Sequence, residues 1–148
     1  MLFKDEVRRL GELLGLPVSV TSRQSFPHPG LAMRCVGEVT PERLAILRRA
    51  DAIFREEIRA SCQEKKLSQY FAVLSASRTL GRRDGVFSYE YACILRAVVE
   101  QSATAYSVGR LPYDLLDRVA GRIIAEVPGI NRVSYDVSPC DYTAIEWE

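Results

Sequence analysis

The stretch RVSYDVSPCDYTAIEWE, residues 132–148, decides the fold, because it combines a clear strand pattern with an unusual aromatic ending. Its first residues alternate between two faces, which would carry Val133, Tyr135 and Val137 on one side and Ser134 and Asp136 on the other. Such alternation predicts a half-buried β-strand. Chain ends are usually frayed and polar, whereas Trp147 stands here between two glutamates. We therefore expect this end of the stretch to dock onto the domain.

Upstream of this strand, the spacing of apolar residues predicts three helices and three further strands. The helices are expected at residues 3–14, 41–58 and 112–127, and the strands at 31–36, 70–75 and 87–99, with a loop at 18–30 and a turn at 78–85. Thr40 and Pro41 are typical of a helix start. The resulting order is one helix followed by β-α-β-β-α-β. It predicts an α+β two-layer domain, with an antiparallel sheet of about four strands and helices on one face.

Composition indicates one ordinary globular domain. The chain has 148 residues, is 47% hydrophobic and has a formal net charge of +1. Mixed charges of this kind argue against a nucleic-acid or anionic-membrane partner, which would need a concentrated basic face. No apolar run approaches the ~20 residues of a membrane span. The four cysteines lie too far apart for a zinc motif, so we expect a reduced, cytoplasmic protein that binds no metal and no other cofactor.

No catalytic group stands out from the residues alone. His28 is the only histidine and is more simply explained as a loop residue than as half of a nucleophile pair. A glycine-rich phosphate loop is absent from the pattern. The arginines at positions 78, 82 and 83 have two readings, a phosphate site or a solvated turn, and the second is favoured. The residues therefore predict a small α+β domain without visible catalytic residues.

Many short segments resemble, in the same order, the C-terminal part of GMP synthase, the amidotransferase that converts XMP to GMP. They include residues 2–8, 14–17, 29–32, 37–40, 71–74, 95–98, 131–133 and 145–148. The resemblance implies that residues 1–22 correspond to the last helix of that family's ATP-pyrophosphatase domain. Residues 23–148 would correspond to its C-terminal dimerisation domain, which also supplies much of the XMP site. The first helix is expected to cover the sheet.

The resemblance also implies a set of substrate-binding positions. Arg132, Ile145 and Glu146 fall on positions that contact XMP in the family, and the proline loop contributes Arg23, Phe26, Pro27, Pro29 and Gly30. Four segments depart from the family pattern.

The proline loop has Gln24, Ser25 and His28 in place of the family residues, and Phe87 stands where the family has an arginine. Residues 101–106 replace a third motif. Cys140 stands where the family has a phosphate-binding lysine, with Asp141 after it. Arg83 is the candidate to replace the lost lysine charge.

The family's glutaminase residues and its ATP loop have no counterpart in this sequence, so the chain alone is not expected to make GMP. Three functions remain open. The first is association, as a homodimer through Leu95, Val98 and Val99 or with a full-length GMP synthase. The second is a regulatory module that binds XMP or GMP. The third is a subunit that completes a split synthase. Whether Cys140 is reactive is left open.

Overall fold

The computed structural model describes residues 3–21, 30–102 and 105–147 and confirms an α+β domain that starts with a helix. The α-helices are α1 (Lys4–Leu13), α2 (Val18–Thr21), α3 (Pro41–Ala60) and α4 (Tyr113–Glu126). The strands are β1 (Gln69–Arg83), β2 (Val86–Ser102), β3 (Ala105–Val108) and β4 (Ile130–Tyr135). Short 3₁₀-helices cover Leu31–Arg34 and Glu64–Lys66.

The long strand β2 is the centre of the sheet. β1 pairs with it antiparallel along one edge, while β3 and β4 share the other edge, β3 antiparallel and β4 parallel. The sheet is therefore mixed rather than purely antiparallel. The reason is that α4 connects β3 to β4 as a crossover, so that β4 runs in the same direction as β2. A parallel pair requires such a crossover connection. The parallel register places Val133 opposite Cys93 and Tyr135 opposite Leu95.

Two predicted segments take a different form. Residues 31–36 are predicted as a strand, but Leu31–Arg34 form a 3₁₀-helix and Cys35 makes only a single bridge to Leu74. The apolar run reflects the burial of a turn, since Arg34 and Cys35 are both fully buried. Residues 78–85 are predicted as a turn, but residues 78–83 continue β1, and only Asp84 and Gly85 form the turn that leads into β2. These two residues have φ of 51° and 82°, as two-residue hairpin turns require.

The main core lies between the sheet and the pair α3 and α4. Thr40 accepts a hydrogen bond from the backbone N–H of Arg43 at 3.3 Å and so caps α3, as predicted. The fully buried core side chains include Leu47, Phe54, Ile58, Ala72, Leu74, Cys93, Ala97, Val119 and Ile123. Leu95 and Val98 are also buried, at 1% and 0% exposure. Both side chains are therefore used within one chain, and of the three residues predicted for a two-fold interface Val99 alone is partly exposed.

Helix α1 forms where it was predicted but does not cover the sheet. Its apolar side chains Phe3, Val7, Leu10 and Leu14 are 44–78% exposed. Its neighbour is α2, whose Thr21 donates a hydrogen bond to Glu12 at 3.3 Å. The apolar face of α1 thus stays open to solvent.

Candidate ligand site at the docked carboxyl-terminal tail

The sheet face opposite the helices is covered by residues 136–147, which we call the tail. Side chains alternate along a strand, so the β2 residues between those of the main core point to this second face. One of them is Arg96, the single charged residue in the apolar half of β2, with a side chain only 1% exposed. Its cross-strand neighbour is Phe71, which is fully buried. The tail must therefore neutralise a buried charge.

Asp136 supplies the first anchor of the tail. Its backbone N–H donates to the carbonyl of Leu95 at 2.8 Å, which extends the β4 register by one residue. Its carboxylate forms an ion pair with Arg96 and accepts hydrogen bonds from the N–H of Ser138 at 2.8 Å and the indole of Trp147 at 3.1 Å. The predicted docking of this segment is thus explained by the Asp136 carboxylate, which accepts hydrogen bonds from three donors.

Glu146 supplies the second anchor. Its two carboxylate oxygens accept from Nη2 and Nε of Arg34, at 2.7 and 3.1 Å. The Arg34 side chain is fully buried, and its guanidinium lies 3.6 Å from the centre of the Phe71 ring. Arg34 falls within the strand predicted at residues 31–36 and is not singled out by the sequence. The signal that could have found it is an arginine inside an otherwise apolar run, which is rarely buried unless it is paired.

The other predicted site residues divide between the tail and more distant places. Cys140 is half-buried in the tail, with its Sγ 3.7 Å from Nη2 of Arg96, and Ile145 is half-buried beside Glu146. Arg132 is exposed on β4, where it pairs in register with Ala92. Gly30 lies just before the first 3₁₀-helix, and the loop residues predicted at positions 23, 26, 27 and 29 fall outside the described residues.

Arg83 belongs to the hairpin and is fully engaged there. Its guanidinium forms a two-bonded ion pair with Glu90, at 3.1 Å for both bonds. It also donates to the backbone carbonyls of Ile124 at 2.9 Å and Ile130 at 2.9 Å. Arg83 therefore fastens the hairpin to the end of α4 and the start of β4.

An open cavity of about 920 Å³ lies beside the tail. This volume falls in the range of small-molecule sites. Its wall contains Gln101 and Tyr106 from the β2–β3 region and Cys140 and Asp141 from the tail. Two of the four segments that depart from the family pattern therefore meet at one cavity. Tyr135 also lines it and donates to the carbonyl of Gly109, and burial raises the pKa of Tyr135 to about 12.

The pKa of Asp136 makes the tail sensitive to acid. Burial opposes its ionisation, but the hydrogen bonds from Ser138 and the charge of Arg96 outweigh burial and hold the pKa below its ordinary value. Stability from the ionised form is thus present above the unfolded pKa of about 3.9 and is lost as pH falls through the lower folded value.

We expect the stability difference between the parent chain and Asp136→Asn to be constant above about pH 5 and to shrink below about pH 4. Urea unfolding from pH 7 to pH 2.5 measures it. A difference that persists unchanged at pH 2.5 would contradict this assignment.

Over residues 3–21, 30–102 and 105–147, no cluster of three His, Cys, Asp or Glu side chains is placed to hold a metal ion. Within the same ranges, no helix is long and apolar enough to cross a membrane.

Comparison with known proteins identifies the family. A family model described as "GMP synthase C terminal domain" matches residues 56–147, more than half of the chain. Glutamine-hydrolysing GMP synthases match 99% of the chain, with 51% identity in Parafrankia sp. and 50% in both Treponema denticola and Thermosynechococcus vestitus. The chain spans about 28% of the length of these relatives. The chain thus belongs to the family of GMP synthase C-terminal domains.

Proposed function

We propose that this chain is a cytoplasmic association module of GMP biosynthesis that forms a homodimer and is not catalytic alone. The observation that supports it most is the exposed face of the β1–β2 hairpin. Leu80, Phe87 and Tyr89 are 51%, 64% and 67% exposed there. Large apolar residues that are grouped on one exposed surface are typical of interaction sites. Cyclic two-fold dimers are the commonest assembly of identical chains.

The register of the hairpin groups these side chains. Leu80 lies opposite Tyr89, and Arg82 lies opposite Phe87. The Arg82 guanidinium stacks on the Phe87 ring with 4.6 Å to its centre. We call this face, formed by residues 78, 80, 82, 87, 89 and 91, the hairpin face. Aromatic and arginine side chains carry much of the binding energy of protein interfaces, so the hairpin face has the composition of an interface centre.

Replacing Phe87 and Tyr89 together by serine is expected to raise the dimer dissociation constant by at least about 30-fold, the equivalent of one strong interface residue. Light scattering after size exclusion at micromolar concentration measures it. The control replaces Tyr113 and Val137, which are 79% and 70% exposed outside the hairpin face, and should leave the dimer intact. A parent chain that elutes as a 16.6 kDa monomer contradicts homodimerisation.

Association with a full-length GMP synthase, or with separately encoded catalytic domains, is the variant of this proposal in which the partner is not a second copy. Mixing the chain with a purified synthase tests it in the same instrument. A mixed species that the Phe87 and Tyr89 double variant cannot form would favour a synthase partner. Restored GMP formation by isolated catalytic domains would instead favour the split synthase.

A second candidate function is the binding of XMP or GMP as a regulatory ligand. Its support is the ordered position of Glu146, which occupies an XMP-contacting position of the family and keeps 16% of its side chain exposed. The cavity beside Cys140 is the neighbouring space in which two of the departing segments, residues 101–106 and 140–141, would alter ligand preference.

Saturating XMP, at about 100 times its dissociation constant, is expected to raise the melting temperature of the chain by about 5–10 °C. A thermal-shift titration checks this, with GMP as the alternative ligand and xanthosine as the control without phosphate. Equal shifts with xanthosine would contradict recognition of the phosphate. The lack of any shift up to millimolar XMP would remove this second function.

A further inference from the structure

We propose that Arg34 is a positioning residue of the nucleotide site: it fixes the Glu146 carboxylate in one orientation and, with Arg96, clamps the two ends of the tail. This inference rests on the second proposed function, nucleotide binding. Arg34 itself is fully buried under the tail and would act on a ligand only through Glu146.

The geometry of the pair favours positioning over simple charge balance. A guanidinium that bonds both oxygens of a carboxylate fixes the plane of that carboxylate as well as its distance. Arg34 does so at 2.7 and 3.1 Å while its own plane is held against Phe71. Because Arg34 is fully buried and Glu146 is 16% exposed, the ligand-accessible part of the pair belongs to Glu146. The carboxylate would thus present a fixed, charged edge to an N–H group of a ligand.

The second clamp is linked to the first through adjacent residues. Trp147 follows Glu146 directly, and its indole N–H donates to Asp136 at 3.1 Å. Asp136 in turn is held by Arg96, which also donates to Thr143 at 3.3 Å. The contacts therefore run from Arg34 through Glu146 and Trp147 to Asp136 and Arg96. Loosening the pair at Arg34 should free Trp147 as well.

A double-mutant cycle tests the positioning role, because it separates that role from general support of the fold. Arg34→Lys keeps the positive charge but removes the fork that bonds two oxygens. We expect it to weaken XMP binding about tenfold in the parent chain and less than twofold in a Glu146→Gln background. A purely structural Arg34 would weaken binding equally in both backgrounds, and that result would overturn the proposal. Arg49→Lys, an exchange on the surface of α3, serves as the control.

Trp147 provides a readout that does not depend on XMP. It is the only tryptophan of the chain, so its fluorescence reports the tail alone. Arg34→Lys is expected to increase quenching of Trp147 by acrylamide at least twofold, with no such increase for Arg49→Lys. If Arg34→Lys leaves the quenching of Trp147 unchanged, Arg34 does not hold the tail, and the proposal is overturned even if the chain binds XMP. If the parent chain binds no XMP, nucleotide binding and the ligand-directed role of Arg34 both fail, and the quenching result alone then decides whether Arg34 clamps the tail.

Discussion

Replacing Asp136 by alanine is expected to lower the free energy of unfolding by about 3–5 kcal/mol, the cost of leaving one partner of a buried ion pair without the other. Arg96 is 1% exposed, so water cannot take the place of the carboxylate. Ser138 and Trp147 lose an acceptor at the same time. Urea unfolding at pH 7 measures the change.

The matched control for Asp136 is Asp141→Ala, the loss of an exposed carboxylate in the same tail. Exposed substitutions of this kind usually stay within about 0.5 kcal/mol. Asp136→Asn keeps an oxygen acceptor and remains measurable if the alanine variant does not fold. Equal stability of the Asp136 and Asp141 variants would mean that Arg96 finds another partner and that the tail is not anchored at this point.

Replacing Arg83 by alanine is expected to lower the free energy of unfolding by about 2–4 kcal/mol. Hydrogen bonds to charged groups contribute roughly 1.5–3 kcal/mol each, and Arg83 makes several of them. The loss would detach the hairpin from the end of α4, where Arg83 bonds the carbonyls of Ile124 and Ile130. Urea unfolding measures this loss in the free energy of unfolding.

Arg82→Ala is the control for Arg83, because it is the adjacent residue and carries the same charge. Its described contact is the stacking on Phe87, worth about 0.5–1 kcal/mol at an exposed site. If both variants lost the same stability, the bonds of Arg83 to the helix end would contribute nothing measurable. A loss of XMP binding in Arg83→Ala without a loss of stability would instead support its sequence-based role as a phosphate anchor.

Periodicity predicted the parts of this fold that bury one continuous face. Periodicity predicted the apolar stripe of α3, which contains Leu47, Phe54 and Ile58, and the alternation of β4. In both elements, the apolar side chains pack against the same core. The apolar half of β2 also indicates a strand from the sequence alone, because a strand that is buried on both faces has no polar side. Arg96 is the exception in that apolar half, and the structure shows it as the buried charge that the tail neutralises.

The remaining parts depend on contacts that a local pattern does not contain. The parallel direction of β4 depends on the crossover through α4. The turn at Leu31–Arg34 depends on a carboxylate at position 146. The length of the hairpin depends on Arg83 and Asn131, whose partners are distant in sequence. The resemblance predicts Glu146 as a site residue, whereas only the three-dimensional contacts show that Arg34 bonds its carboxylate.

The ion pair between Arg34 and Glu146 has a consequence for the order of events during synthesis. Its two residues are 112 positions apart in the chain, so the guanidinium is synthesised well before its carboxylate. Domains begin to fold from the N-terminal side as they emerge from the ribosome. The helix-packed core uses residues up to Tyr135, whereas the second face also needs Asp136 and Glu146. A chain that stops at Tyr135 would thus carry Arg34 and Arg96 without their carboxylate partners on that face, a defect that cellular quality control can detect.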